Sequence, residues 1–356
     1  MVRTPVEQGK PRDHGTSGRL TGDDGVDTLA CAPVSRARRS GARWIALLTT
    51  VCVAAGAGCS EAEPSTTGPP AATSADAVTQ ESVSPTPTAE PPPTVRELVR
   101  PDLVAWARET RRDSDGARVA AAVSYDSQRV RVGHSAQVPS ASMAKAYWVW
   151  AAAAGAGTEA VEPYVQDVFA WSSNDAAGRV IGQVGPDAIN TFTRDLGMAE
   201  TYLAAWYAGG AHTASDQAEY GDRNVTTVDD AVTFLDALTE AASDGDEVAA
   251  QVLDWMTLSP DSIGADGSYG GALVGELPPR VARRVSHKAG WLFPGATDAV
   301  RSEVVAMGVV PLPDGTTVNV AFGVADAAAG LDTEAAAVAA GVRTVYDALV
   351  AGIDGC

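Results

Sequence analysis

Of the 356 residues in this chain only three are lysine, Lys10, Lys145 and Lys288, and arginine carries the rest of the positive charge. Arginine keeps its proton under all ordinary conditions, whereas a buried lysine can give its proton up or share it. Lys145 ends the stretch "SASMAK", three residues after Ser142. On a helix that spacing puts hydroxyl and amine on one face. Burial disfavours the charged amine, so Lys145 can take the proton of Ser142, and free N–H groups at the helix start can hold an oxyanion. Two more patterns follow in order: "SSNDAA", with Ser172, Ser173 and Asn174, and "HKAGW", with Lys288, Ala289, Gly290 and Trp291. Taken singly, each has a plain structural use: a capping serine with a lysine reaching for solvent, a helix cap at Ser172 to Asp175, and an exposed edge strand. Their joint occurrence, with both lysines used, points to nucleophilic serine chemistry.

Such groups need elements that bring them together. Apolar residues recur at helical spacing over "VRELVRPDLVAWARET", and "VAAAVSYD" and "RVRVG" read as two strands joined by a turn at Asp126 to Gln128. After Val138-Pro139, Met143 to Ala154 is apolar on every face, which predicts a buried helix. Helical patterns continue over Glu162–Ala170, Asp175–Ile181, Pro186–Leu196, Thr227–Ala242 and Glu247–Met256, so the middle reads as all helix. "RVSHKAGW", "SEVVAMGVV" and "TVNVAFGVA" read as strands, the last two meeting at "PLPDGT", and Leu331 to Ala351 closes the chain as a helix. Strands near both ends around a helical middle predict an α+β fold: one antiparallel sheet flanked by terminal helices, with an inserted all-helical lobe. Trp148, Trp150 and Trp171 are expected in the core. Strand alternation is expected to turn His287 away from the side that Lys288 faces.

Composition narrows the function classes. A hydrophobic content of 45% is ample for a core, and a net charge of -19 argues against nucleic acid, which needs clustered Lys and Arg. The cysteines, Cys31, Cys52, Cys59 and Cys356, have neither zinc-ligand spacing nor the density of a disulfide framework, and no metal or cofactor is expected. Residues 36–59, "RARRSGARWIALLTTVCVAAGAGC", run from basic to apolar to small residues, the layout of an export signal, and the apolar run is short for a membrane span. Gly56, Ala57 and Gly58 before Cys59 resemble a bacterial lipobox, with Gly56 in place of the usual Leu. Cys59 is therefore the expected lipidation site, with simple secretion or an uncleaved anchor as the alternatives. Residues 1–35 form an N-terminal extension without apolar periodicity. Residues 60–94 are a Pro/Ser/Thr linker too poor in apolar side chains to fold. The folded domain is expected over 95–356, as a monomer on the extracytoplasmic side.

In that order the three patterns resemble the signature of the penicillin-recognising serine enzymes, the class A β-lactamases and D-Ala-D-Ala peptidases. The resemblance covers roughly 95–356. It implies Ser142 as acylated nucleophile, Lys145 as its general base and Ser172 as relay of a proton to the leaving nitrogen. Asn174 would hold Lys145 and the substrate's amide side chain, and Lys288 would attract a substrate carboxylate. The N–H groups of Ser142 and Trp291 would form the oxyanion hole, with Gly290 beside them. Some residues depart from the pattern: Ala289 replaces the usual Thr or Ser, and Ser173 the usual Asp. No Glu-x-x-Leu/Ile-Asn precedes "GDRNVTTVDDAV", where Asp216 and Glu219 are the nearest carboxylates. Arg284 and Arg301 flank the Lys288 strand as ordinary surface arginines or anion contacts. The expected partner is a small β-lactam. The alternatives are a peptidoglycan stem peptide cleaved by a D-Ala-D-Ala carboxypeptidase, or a non-catalytic binding lipoprotein of the same fold.

Overall fold

A computed structural model describes residues 94–114, 116–133, 136–204, 224–261, 269–293, 302–325 and 330–354. The expected N-terminal extension, export signal, Cys59 and nearly all of the linker lie outside the described residues, as do Asp216, Glu219, Arg301 and Cys356.

Thr94 starts the first helix, α1 (Val95–Asp113), with a reciprocal cap: its side chain accepts from the Glu97 N–H, and the Glu97 carboxylate accepts from the Thr94 N–H. Strands β1 (Arg118–Tyr125) and β2 (Gln128–Gly133) follow as a hairpin. The last three strands are β5 (Ser286–Leu292), β6 (Glu303–Pro311) and β7 (Thr317–Ala325). They join the hairpin in one antiparallel sheet ordered β2-β1-β7-β6-β5, which makes β5 an edge.

Strands β1, β6 and β7 are buried on both faces, whereas β2 at the edge buries only Val130, and the period of two decides which side chain goes where. Val119, Ala121 and Val123 of β1 join Val304 and Ala306 of β6 in a core shared with α1 and the C-terminal helix. Their neighbours Ala120 and Ala122, with Val305 and Met307, enter a second core shared with the helical lobe. The C-terminal helix, α9 (Leu331–Asp354), is long and apolar enough by composition to cross a membrane. Here its stripe of Ala335, Val338, Val342, Val345 and Leu349 is buried in the first core.

The lobe comprises α2 (Lys145–Ala156), α3 (Thr158–Phe169), α4 (Asn174–Val184), α5 (Pro186–Asp195), α6 (Val228–Ser243) and α7 (Glu247–Met256). Every residue of α2 from Lys145 to Ala153 is buried, as its all-round apolar sequence predicts, and α3, α4, α5 and α7 pack around it. Tyr147 and Trp150 meet Phe234 of α6 edge-on, with ring centroids 4.7 and 5.5 Å apart. Burying a side chain such as Phe234 is worth about 1.5–3 kcal/mol.

The middle of the chain is not all helix. β3 (Val138–Pro139) pairs with β4 (Val225–Thr226), and Tyr202 bridges to Val225. α3 also begins at Thr158 rather than Glu162, because Gly157, at φ 92°, ends α2 and lets the next helix start at once. A one-turn helix, α8 (Pro279–Ala282), leads into β5.

Candidate active site

Ser142 lies in a 3₁₀ turn, Ala141–Ala144, that runs directly into α2. The β3–β4 ribbon fixes the approach to that turn: the Ser140 N–H donates to the Asn224 carbonyl at 2.8 Å, and the Met143 N–H to the Ser140 carbonyl at 3.0 Å. Ala141 is forced to φ 44°, a left-handed conformation a non-glycine residue adopts only under constraint. Ser142 is half-buried, and Lys145, one turn on, is fully buried.

The side chain of Lys145 crosses to the start of α4. Its Nζ contacts the Ser172 carbonyl, Asn174 Oδ1 at 2.8 Å and Ser172 Oγ at 3.3 Å. Ser172 is itself left-handed, at φ 53°. This turn between α3 and α4 is tied down by the Ser173 N–H, which donates to the Asp167 carbonyl at 2.9 Å, and by Ser173 Oγ, which accepts from the Ala176 N–H at 3.2 Å.

The second lysine arrives from the sheet. Lys288 of β5 is buried, and its Nζ donates to Ser172 Oγ at 3.1 Å and to the carbonyl of Ala289 at 3.0 Å. Two buried amines from opposite layers thus converge on one hydroxyl oxygen, and where both donate to it the hydroxyl proton of Ser172 is free to point elsewhere. Burial pushes Lys145 down to about 7, and it pushes Lys288 well below its usual range, with the charge of Lys145 as a second cause. Among the described residues, no carboxylate bonds either amine.

Gly290 sets how closely the two layers meet. A Cβ there would stand 2.5 Å from the backbone nitrogen of Ser142 and 2.6 Å from that of Met143, so only glycine lets β5 press against the 3₁₀ turn. The carbonyls of His287 and Ala289 both accept side-chain hydrogen bonds rather than ladder bonds, from Ser259 Oγ at 2.6 Å and from Lys288 Nζ at 3.0 Å. By the period of two the backbone groups of Trp291 point the same way, into the gap beside Ser142. The Trp291 ring packs on Tyr269, with centroids 6.0 Å apart.

The structure therefore gathers Lys145, Ser172, Asn174 and Lys288 by direct hydrogen bonds, and Ser142, Gly290 and Trp291 by backbone contact and strand geometry. Among the described residues, Lys145 makes no hydrogen bond to Ser142; its contacts all go to Ser172 and Asn174. His287 is buried beneath the strand, against Gly308, and burial holds its imidazole down to about 3. Arg284 is exposed. Trp148 and Trp150 are core residues, but Trp171 is 76% exposed, contrary to expectation. It falls on the turn between two helices, outside the periodicity that buries their apolar faces, and residue type alone does not decide burial. Sequence reasoning also missed Ala141 and the ribbon behind it, since two-residue strands carry no period; only Val138-Pro139 hinted at extended backbone there.

The model of the beta-lactamase enzyme family matches residues 160–349, a span that holds Ser172, Asn174 and Lys288 and begins after Ser142 and Lys145. The extended-spectrum beta-lactamase TLA-3 superposes with a TM-score of 0.56 at 16% identity, over 70% of this chain and 99% of that one. A class A beta-lactamase from Bacteroides cellulosilyticus gives 0.55 at 18%, over 73% and 99%. A beta-lactamase from Sphaerobacter thermophilus gives 0.53 at 19%, over 68% and 95%. At these identities the likeness establishes the fold. None of the curated proteins matches the sequence.

Proposed function

The chain belongs to the beta-lactamase enzyme family and is a serine hydrolase acting on amide bonds; from that premise we propose that it opens β-lactam rings through an acyl-enzyme on Ser142. The observation that carries the reading is the convergence of Lys145 and Lys288 on Ser172 Oγ beside Ser142. A neutral Lys145 has two N–H groups and one lone pair. It can keep two of its three acceptors while the lone pair turns to the Ser142 proton, one helical turn away. Ser142 Oγ then bonds to the lactam carbonyl carbon, and the oxygen takes up the negative charge in front of the Ser142 and Trp291 N–H groups. As the carbon–nitrogen bond breaks, the proton held by Lys145 reaches the ring nitrogen through Ser172, and Lys288 provides positive potential for the substrate carboxylate. The ring opens without losing a fragment, so the adduct carries the full mass of the β-lactam.

A slow peptidase-type reaction on a D-Ala-D-Ala stem peptide is the second reading, favoured by the lack of a Glu-x-x-Leu/Ile-Asn pattern before "GDRNVTTVDDAV", because slow deacylation does not need that glutamate. We further infer export and lipid attachment at Cys59 from the basic, apolar and small-residue order of 36–59.

Intact mass of the full chain against time, with benzylpenicillin, tests the reading against Ser142→Ala. A wild-type adduct missing from the variant is expected; a lifetime of seconds or less fits a β-lactamase, and one of hours the peptidase. No adduct on wild type, or an equal one on Ser142→Ala, sinks the proposed chemistry.

A further inference from the structure

Among the described residues, three large apolar side chains are exposed: Trp171, Leu258 and Phe293. Trp171 is the most exposed, at 76%, and it directly precedes the hydroxyl that both lysines share. Its ring makes no hydrogen bond or aromatic contact among the described residues, so packing does not account for it. Nor is it on a loose loop. The Ala170 N–H donates to Gln166 and the Ser173 N–H to Asp167, both at 2.9 Å, while the intervening Ser172 carbonyl is held by Lys145. A left-handed serine at φ 53° turns the chain between these anchors. The indole is thus a large flat apolar face mounted on an over-determined turn, so that only its two side-chain torsions remain to be ordered on contact. Its Cα lies one residue, about 3.8 Å, from that of Ser172.

We infer that Trp171 is a stacking platform for a planar apolar group carried on the leaving-nitrogen half of the substrate, and that it sets specificity for such substrates. The inference rests on the proposed role of Ser172 as proton donor to that nitrogen, because this puts its neighbour on the same half of the bound molecule. Phe293 differs: it follows the end of β5, three residues past Gly290 and so roughly 10 Å further along the strand, away from Lys288. Trp291 is engaged by Tyr269. Among the described residues, Trp171 is therefore the aromatic left to meet the substrate beside Ser172.

Two cephalosporins separate this contact from the rest of the site. Nitrocefin and cephalothin share a thienylacetyl side chain and differ at ring position 3, where one carries a flat dinitrostyryl group and the other an acetoxymethyl group. Binding is measured by calorimetry on the full chain with Ser142→Ala, so that no acylation follows. Nitrocefin is expected to bind about tenfold more tightly than cephalothin. Adding Trp171→Ala should bring the two within about twofold, Trp171→Phe should retain most of the preference, and Phe293→Ala should retain all of it. A preference that survives Trp171→Ala, one that Phe293→Ala removes equally, or failure of both compounds to bind overturns the inference. The acyl-enzyme mass experiment on wild type decides separately whether the reading beneath it stands.

Discussion

The helical lobe and the sheet each deliver one buried lysine to the same hydroxyl, by different routes. In the lobe, Ser142, Lys145, Ser172 and Asn174 lie within 33 positions of one another, on the 3₁₀ turn, α2, the α3–α4 turn and the start of α4, and the packing of α2 against α4 brings them together. The sheet's lysine comes from 116 residues beyond Ser172, on an edge strand whose alternation sends Lys288 to the lobe and His287 to the other side. Both faces of that strand bury a basic group, yet only Lys288 meets a hydroxyl. The lobe fixes the chemistry locally, whereas the sheet adds charge through a long-range contact that depends on how closely two layers approach.

The strongest way to break the lobe's half is Lys145→Arg. Its guanidinium cannot act as a base, so acylation measured by intact mass should fall by about 10³-fold or more, with an unchanged circular dichroism spectrum. Gly290→Val attacks the seam instead. Its side chain would collide with the backbone of Ser142 and Met143, and a roughly 10²-fold loss in acylation rate is expected with the lobe and sheet still folded.

The two lysines should also separate by pH and stability. If Lys145 acts when neutral, acylation should climb as pH rises through about 7 and level off above it. A flat profile from pH 5 to 9 would exclude that role. Lys288→Met should weaken anionic substrates, yet raise the melting temperature by a few degrees at pH 7, because a buried amine held well below its usual range costs stability wherever the unfolded chain would be protonated. The smallest effect belongs to the opposite face. As pH falls from 6.5 towards 3 the unfolded chain protonates His287 before the folded one does, so stability is lost across that window. His287→Leu should flatten this acid slope while changing acylation at neutral pH little, as seen in urea melts at several pH values.

Much of this was legible because the signals were long and periodic. α7 begins and ends where its apolar spacing does, and β1, β2 and β5–β7 follow their alternation. The site patterns stood out because lysine is scarce enough for each occurrence to carry weight. What escaped notice was local backbone detail without a period: the strained Ala141, the two-residue ribbon and the outward turn of Trp171. The contact between Gly290 and the 3₁₀ turn joins residues about 150 positions apart and depends on tertiary packing, which no local pattern records.

The position of β5 at the end of the sheet bears on how the molecule behaves in company. A sheet's last strand normally offers a row of unpaired carbonyl and amide groups to any passing chain. Here two carbonyls of that row are occupied from within, by Ser259 on His287 and by Lys288 on Ala289, and the 3₁₀ turn lies close against Gly290. The strip of backbone beside Ser142 thus has two of its carbonyls satisfied within the chain, which withdraws them as acceptors for a strand of another molecule.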